Sequence, residues 1–333
     1  MSDVVKIRNA YGDCVSILPY GATLQSWELG TAMGPDINIL LGHPEPASYA
    51  LDRAYLGALV GRYSNRIANG RFSLGGREIT LNRNEGMHHL HGGEEGFHRR
   101  HWNIAGTTDS SVDLRLVSPA ADQGYPGELV IDAHYELDES RTLTIRWQAT
   151  TDADTVVGLT SHGYFNLAGQ GDILDHHLQV TAAHYTPVNS DMIPTGEIRT
   201  VAGTPLDLSR FTRLGDLVAS QAPELRQCSG LDHNFAHGGP GRFKEQARLL
   251  CPATDLLLTA SSTLPGLQCY TGNHLQGLGT HGSYEGVCLE PQYYPDSPNQ
   301  PRFPSPLLRA GETMQHTISY RIEQVDSVQL LCS

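Results

Sequence analysis

Leu129-Val130-Ile131-Asp132-Ala133-His134-Tyr135-Glu136-Leu137 and Thr142-Leu143-Thr144-Ile145-Arg146-Trp147-Gln148-Ala149, joined through Asp138-Glu139-Ser140, decide the fold. Leu129, Ile131, Ala133, Tyr135 and Leu137 fill alternate positions of the first run, and Leu143, Ile145, Trp147 and Ala149 those of the second. Residues between them are mostly polar. A period of two sends alternate side chains to opposite faces of an extended chain, so the two runs predict a β-hairpin with one face on a core.

The same pattern spreads outward. Val112, Leu114 and Leu116 predict a strand before the hairpin, and Phe72-Ser73-Leu74 and Ile79-Thr80-Leu81 flank Gly75-Gly76 as a second hairpin. Met314, Ile318, Tyr320 and Ile322 alternate with Gln315, Thr317, Ser319 and Arg321, which ties the C-terminal region into a sheet. Helical periodicity is confined to two short stretches, residues 47–59 and 212–220. Many short strands at turn-punctuated spacing predict an all-β protein, a large antiparallel β-sandwich with few short helices, rather than a βαβ layer fold. No composition break, linker or repeat divides the chain, so a single domain over residues 1–333 is expected.

Composition narrows the function. A net charge of −13, from Lys+Arg 23 against Asp+Glu 36, argues against a nucleic-acid partner, because a phosphate backbone needs a basic footprint. No run of roughly eighteen apolar residues predicts a membrane span, and the first residues lack an apolar leader core, so a cytoplasmic location is expected. Cys14, Cys228, Cys251, Cys269, Cys288 and Cys332 include no Cys-x-x-Cys pair and read as reduced, mostly buried thiols.

Candidate chemistry lies in compact segments far apart in the chain. His162 stands in Ser161-His162-Gly163-Tyr164-Phe165-Asn166, between small and aromatic residues. Arg62, Asn65 and Arg66 share one short run whose planar donors and acceptors suit oxygen-rich ligands. Asp232 and Gln268 each stand near aromatics. Glu290 follows the apolar Val287-Cys288-Leu289 and precedes a stretch stiffened by Pro291, Pro295 and Pro298, a setting that buries the carboxyl and raises its pKa toward the range of a general base. His88, His89 and His91 form a tempting metal run, but neighbours on an extended segment point to opposite faces, so no metal site is expected there. There is no phosphate-binding glycine loop, nucleotide fingerprint or nucleophile elbow, and no cofactor is expected.

Six of these segments, GRYSNRI, LHGGEEGF, SHGYFNLAG, LDHNF, LQCYTGN and LEPQYYPDSPN, occur in an order that resembles the motif set of the galactose mutarotase (aldose 1-epimerase) family over nearly the whole chain. The resemblance implies a large β-sandwich, a sugar as the small-molecule substrate, Glu290 as general base and His162 as general acid. It also implies that Arg66, His91, Asp232 and Gln268 hold sugar hydroxyls or support the acid; Asn65 shares the motif of Arg66, and Tyr164 offers an aromatic wall. Three positions depart from the family pattern: His98 where an aspartate is common, Pro291 where a small hydroxyl residue is frequent, and Gly163 where serine is usual. Each is expected to alter pocket shape.

In such an enzyme the base takes the anomeric proton, the acid protonates the ring oxygen, and the open aldehyde turns and recloses. An optimum near neutrality then calls for a raised His162 pKa, with Asp232 the expected cause. A hexose-phosphate epimerase, with Arg62 or Arg66 on the phosphate, is the nearest alternative. A glycoside hydrolase using Asp232 and Glu290 and a non-catalytic sugar-binding sandwich are more distant ones. Either a monomer or a homodimer is compatible with the sequence.

Overall fold

The computed structural model describes residues 4–30 and 36–332. The hairpin predicted from alternation forms as strands Leu129–Leu137 and Thr142–Thr151, in register from Leu129 opposite Thr151 to Leu137 opposite Leu143. Its apolar positions are buried and its intervening ones are half-buried or exposed. Thr313–Gln324 pairs along the other edge of Thr142–Thr151, so the C-terminal strand lies inside the sheet.

These strands centre a nine-stranded antiparallel sheet. Across it run Asn103–Thr107, Ser111–Ser118, Leu129–Leu137, Thr142–Thr151, Thr313–Gln324, Leu256–Ser262, Lys244–Cys251, His177–Val180 and Thr212–Arg213. A six-stranded sheet lies against it, in the order Tyr164–Phe165, Val287–Gln292, Gly266–Tyr270, Asp232–Ala236, His184–Tyr185 and Arg199–Thr200. Leu267, Leu289 and Phe235 of the smaller sheet share one core with Ile318, Tyr320 and Leu258 of the larger. Tyr320 joins the layers twice: its ring meets Phe165 at 4.9 Å, and its hydroxyl donates to the Leu289 carbonyl at 2.8 Å. The architecture is the all-β sandwich expected.

Gly75 and Gly76, at φ 56° and 77°, close the predicted hairpin between Arg71–Leu74 and Arg77–Thr80, a turn that needs positive φ at both central positions. The helical expectations need correction. Residues 47–59 give only a 3₁₀ turn, Pro46–Leu51, because Tyr55 and Gly57 take positive φ and cannot extend a helix. In 212–220, Thr212–Arg213 pairs with His177–Leu178 as an edge strand and the helix is only Leu214–Val218. Six-residue helices at Pro223–Cys228 and Ser327–Cys332 are too short to leave a periodic signal. No helix among the described residues is long and apolar enough to cross a membrane. The described cysteines are all free, and only Cys332 is exposed.

Arg62 is a strut of this fold rather than a ligand-binding group. It is 2% exposed, and its guanidinium donates to the Ser118 hydroxyl and to the carbonyls of Ser118, Pro119, Pro126 and Gly127. All three of its nitrogens are engaged, so no face remains for a phosphate. Replacing it with methionine strands several buried acceptors. Arg62→Met should therefore lower the unfolding free energy by about 3 kcal/mol or more, read from denaturant midpoints at unchanged m-value.

Candidate active site

Alternation in three neighbouring strands of the smaller sheet assembles the site. In Val287–Gln292 the core face carries Val287 and Leu289, so Cys288, Glu290 and Gln292 face the other way. In Gly266–Tyr270, Leu267 and Cys269 take the core and leave Gln268 and Tyr270 on the second face. In Asp232–Ala236, Phe235 goes inward and Asp232 and Asn234 outward. The register aligns Asn234, Gln268 and Glu290 as one cross-strand row, with Asp232, Tyr270 and Cys288 in the adjacent row. Residues nearly sixty positions apart thus become same-face neighbours. Gln268 Nε2 donates to Asp232 Oδ1 at 2.6 Å, a diagonal bond between the rows.

A cavity of about 190 Å³ lies on this face, and Arg66, Asn65, His91, His162, Tyr164, Asp232, Gln268 and Glu290 all line it. At its base the His162 Nε2 and Glu290 Oε2 atoms are 3.7 Å apart, with side chains 6% and 2% exposed. Glu290 Oε2 and Gln268 Oε1 are buried without a hydrogen-bond partner among the described residues. Behind the imidazole, Cys288 Sγ lies 3.5 Å from Nδ1. The Tyr164 ring packs at 5.1 Å from the imidazole, and its hydroxyl is committed to the Ala54 carbonyl, so it offers a wall rather than a donor.

The opposite wall comes from the short pairing of Arg66–Ile67 with His89–Leu90. Asn65, at φ 63°, donates its backbone N–H to His91 Nδ1 at 3.1 Å, which leaves the His91 proton on Nε2. Asn65 Oδ1 accepts the Arg66 backbone N–H. The Arg66 guanidinium donates Nε and Nη2 to the two oxygens of Glu85, both at 2.7 Å. The tyrosine ring of Tyr55 closes the side, 4.7 Å from His91 and 5.8 Å from His162. Sequence reasoning passed over Tyr55, Glu85 and Arg53, which carry no local signal; Tyr270 lay inside a quoted motif without being singled out.

Burial sets the electrostatics. It pushes Glu290 well above the ordinary carboxylate range, and the nearby Asp232 charge pushes it further. It pushes His162 down to about 4 and holds His91 well below its usual value, with the neighbouring His162 and Arg66 adding to the latter. This corrects the expectation that Asp232 raises the His162 pKa: Asp232 acts on Glu290. Burial thus reverses the usual order of the two groups, so that a proton shared by the pair favours the carboxyl, facing an imidazole nitrogen.

Of the three departures from the family pattern, none lines the cavity. Pro291 shares the strand face of Leu289 and points away, and a Cβ at Gly163 would meet Leu40 and Phe165. His98 reaches the site only through Tyr55, whose ring it meets at 4.6 Å. A larger hollow, about 850 Å³, lies along the nine-stranded sheet beside Asp132, His134, Arg146 and Gln148. There the charged groups pair with one another at exposed positions, and nothing resembles the buried pair of the small cavity.

Known proteins resemble this chain over nearly its whole length. A sequence model of the family described as aldose 1-epimerase matches residues 3–321. The aldose 1-epimerase of Escherichia coli K12 is 37% identical, over 96% of this chain and 94% of its own. The galactose mutarotase of Mus musculus is 40% identical, over 92% and 90%. Among solved structures, an aldose epimerase homologue from C. elegans superposes with a TM-score of 0.90 at 28% identity, covering 98% of this chain and 100% of that one. The galactose 1-epimerase of Lactobacillus acidophilus NCFM gives 0.86 at 30%, over 97% and 94%.

The three histidines of the run do not converge, and His91, at φ 48°, leaves the face that strict alternation would have it share with His89. His91 enters the cavity, His88 Nδ1 accepts the Asn69 backbone N–H near the surface, and His89 is buried between the Asn82 carbonyl at 2.6 Å and the Tyr125 hydroxyl at 2.7 Å. Among the described residues, three such donor atoms lie within 4.8 Å of one another at His162, Cys288 and Glu290, but Cys288 stands outside the cavity lining, behind the imidazole. Prolonged chelation should leave the melting temperature unchanged. His89→Ala should cost about 2–3 kcal/mol in chemical unfolding, and His88→Ala less than about 1 kcal/mol. Metal content that tracks stability would contradict this.

Proposed function

The chain belongs to the aldose 1-epimerase family and is a carbohydrate epimerase of that class, and we propose that it interconverts the α and β anomers of free hexoses such as galactose and glucose. The observation that carries the reading is the Glu290–His162 pair, 3.7 Å apart at the base of a cavity sized for one sugar ring. Glu290 is the base that takes the anomeric O1 proton, and His162 is the acid that protonates the ring oxygen. The C1–O5 bond breaks, the aldehyde turns about C1–C2, and ring closure on the other face reverses both transfers. Gln268, Asp232, His91, Asn65 and Arg66 supply planar acceptors and donors for the hydroxyls, and Tyr164 and Tyr55 supply flat walls.

Ring opening needs Glu290 ionised and His162 protonated, a form with the same proton count as the resting pair. Moving the proton from carboxyl to imidazole reaches it with no gain or loss. A phosphorylated hexose is disfavoured as substrate: Arg62 is fully engaged in the fold, and the charge of Arg66 is paired with Glu85. Polarimetry on fresh α-D-galactose, α-D-glucose and glucose 6-phosphate tests the assignment. Catalysed mutarotation of a neutral hexose is the expected result, and the absence of it overturns the reading.

Glu290→Gln keeps the shape but cannot accept the O1 proton, so kcat should fall by about 10²-fold or more with KM little changed. His162→Gln should fall by a similar factor. The rate should follow a bell in pH whose limbs belong to the pair: it rises as the two-proton form loses one proton and falls as the last proton leaves. Asp232 raises the Glu290 pKa, so Asp232→Asn stabilises the carboxylate and should move the alkaline limb of kcat/KM to lower pH. An alkaline limb that stays in place would disconnect Asp232 from the pair.

A further inference from the structure

The turn Glu85-Gly86-Met87-His88 is closed by two backbone bonds between Glu85 and His88, at 3.2 and 2.8 Å, with Gly86 at φ 56°. It sets the Glu85 carboxylate edge-on to the Arg66 guanidinium. Two parallel N–H···O bonds of 2.7 Å fix the plane and the rotation of that group. They use Nε and Nη2, and Nη1 has no protein partner among the described residues. Both side chains line the cavity.

Charge is the second consequence. The carboxyl groups lining the cavity are Glu85, Asp232 and Glu290, and the guanidiniums are Arg53 and Arg66. Arg53 is exposed at the rim, and Arg66 is acted on by both Glu85 and Asp232. An arginine held in this way presents a directed donor without a surplus positive charge. In a space of about 190 Å³, an anionic substituent beside Arg66 would meet a guanidinium whose charge is already paired with Glu85, with the Asp232 carboxylate close by and Arg53 only at the exposed edge.

We infer that Glu85 is a positioning and specificity residue: it aims Arg66 Nη1 at a sugar hydroxyl and cancels its charge, restricting the site to uncharged aldoses and rejecting those bearing a carboxylate or a phosphate. The inference rests on the mutarotase reading above. Glu85→Gln retains size but not charge, whereas Glu85→Asp retains charge but is too short to hold both nitrogens.

The test is polarimetry with α-D-galactose on wild type, E85Q and E85D, with galacturonate and glucose 6-phosphate as competitive inhibitors. E85Q should raise KM for galactose about tenfold with kcat within about threefold. The same variant should tighten inhibition by both anionic sugars, by about tenfold or more relative to galactose. E85D should raise KM similarly yet still reject the anions, a separation that loss of structural support alone would not produce. Unchanged KM and unchanged anion inhibition in E85Q would overturn the inference, as would equal weakening of neutral and anionic sugars in both variants. A wild-type enzyme inactive on every neutral aldose would overturn instead the reading on which this one rests.

Discussion

Burying a carboxyl group beside an imidazole, with one of its oxygens left without a hydrogen-bond partner among the described residues, is costly, and the smaller sheet is arranged around that cost. A lone carboxylate in such a place would take up a proton and become inert as a base. Here the proton has a second place to go, 3.7 Å away on His162, and burial reverses the usual order of the two proton affinities, raising that of Glu290 and lowering that of His162. Asp232 reinforces the effect from the neighbouring row, and Gln268 holds Asp232 in place. The strands that carry these residues are anchored from behind, where Tyr320 binds the Leu289 carbonyl and Phe165 packs on its ring. Sheet register fixes Glu290, Gln268 and Asp232, and His162 sits on the two-residue link between the short strands Thr160–Ser161 and Tyr164–Phe165, which holds it against them.

Much of this was legible in the sequence because it followed a period of two. The hairpin from Leu129 to Thr151 and the strand through Tyr320 announced themselves by alternation, and the glycine pair at 75 and 76 announced its turn. Glu290 was legible because an acid beside an apolar run and several prolines is poorly placed for solvent. Information that depends on pairing was not legible. No local pattern says that Glu290 sits opposite Gln268, or that Asp232 lies nearer in effect to the carboxyl than to the imidazole. The error over the His162 pKa came from that gap: the right residues were gathered into one pocket, but the charge was assigned to the wrong neighbour. Glu85 was invisible for a related reason, since a glutamate in a polar turn looks like any solvated acid until Arg66 is placed against it. Arg62 failed in the opposite direction, its guanidinium being absorbed by backbone carbonyls around Ser118.

The two walls of the cavity divide the work unequally. The sheet face supplies Glu290 and the acid that tunes it, and the link after Thr160–Ser161 supplies His162. The segment from Asn65 to His91 supplies neutral or neutralised donors, with His91 fixed in one tautomer by the Asn65 amide and Arg66 fixed by a carboxylate. Such a division lets the sugar-holding wall change without disturbing proton affinities on the other, provided charge on that wall stays balanced.

The closeness of the buried pair has a further consequence, given the roles assigned to Glu290 and His162. Opening the ring moves one proton from sugar to carboxyl and another from imidazole to sugar; closing it on the other face returns both. The protein finishes each turnover in the state in which it began, having exchanged nothing with bulk water. An enclosure only large enough for one ring is then an advantage, because no relay of solvent molecules has to reach the base of the cavity between cycles. Such a catalyst is self-recharging, and its speed is set by sugar entry, departure and the turning of the aldehyde rather than by the supply of acid or base from outside.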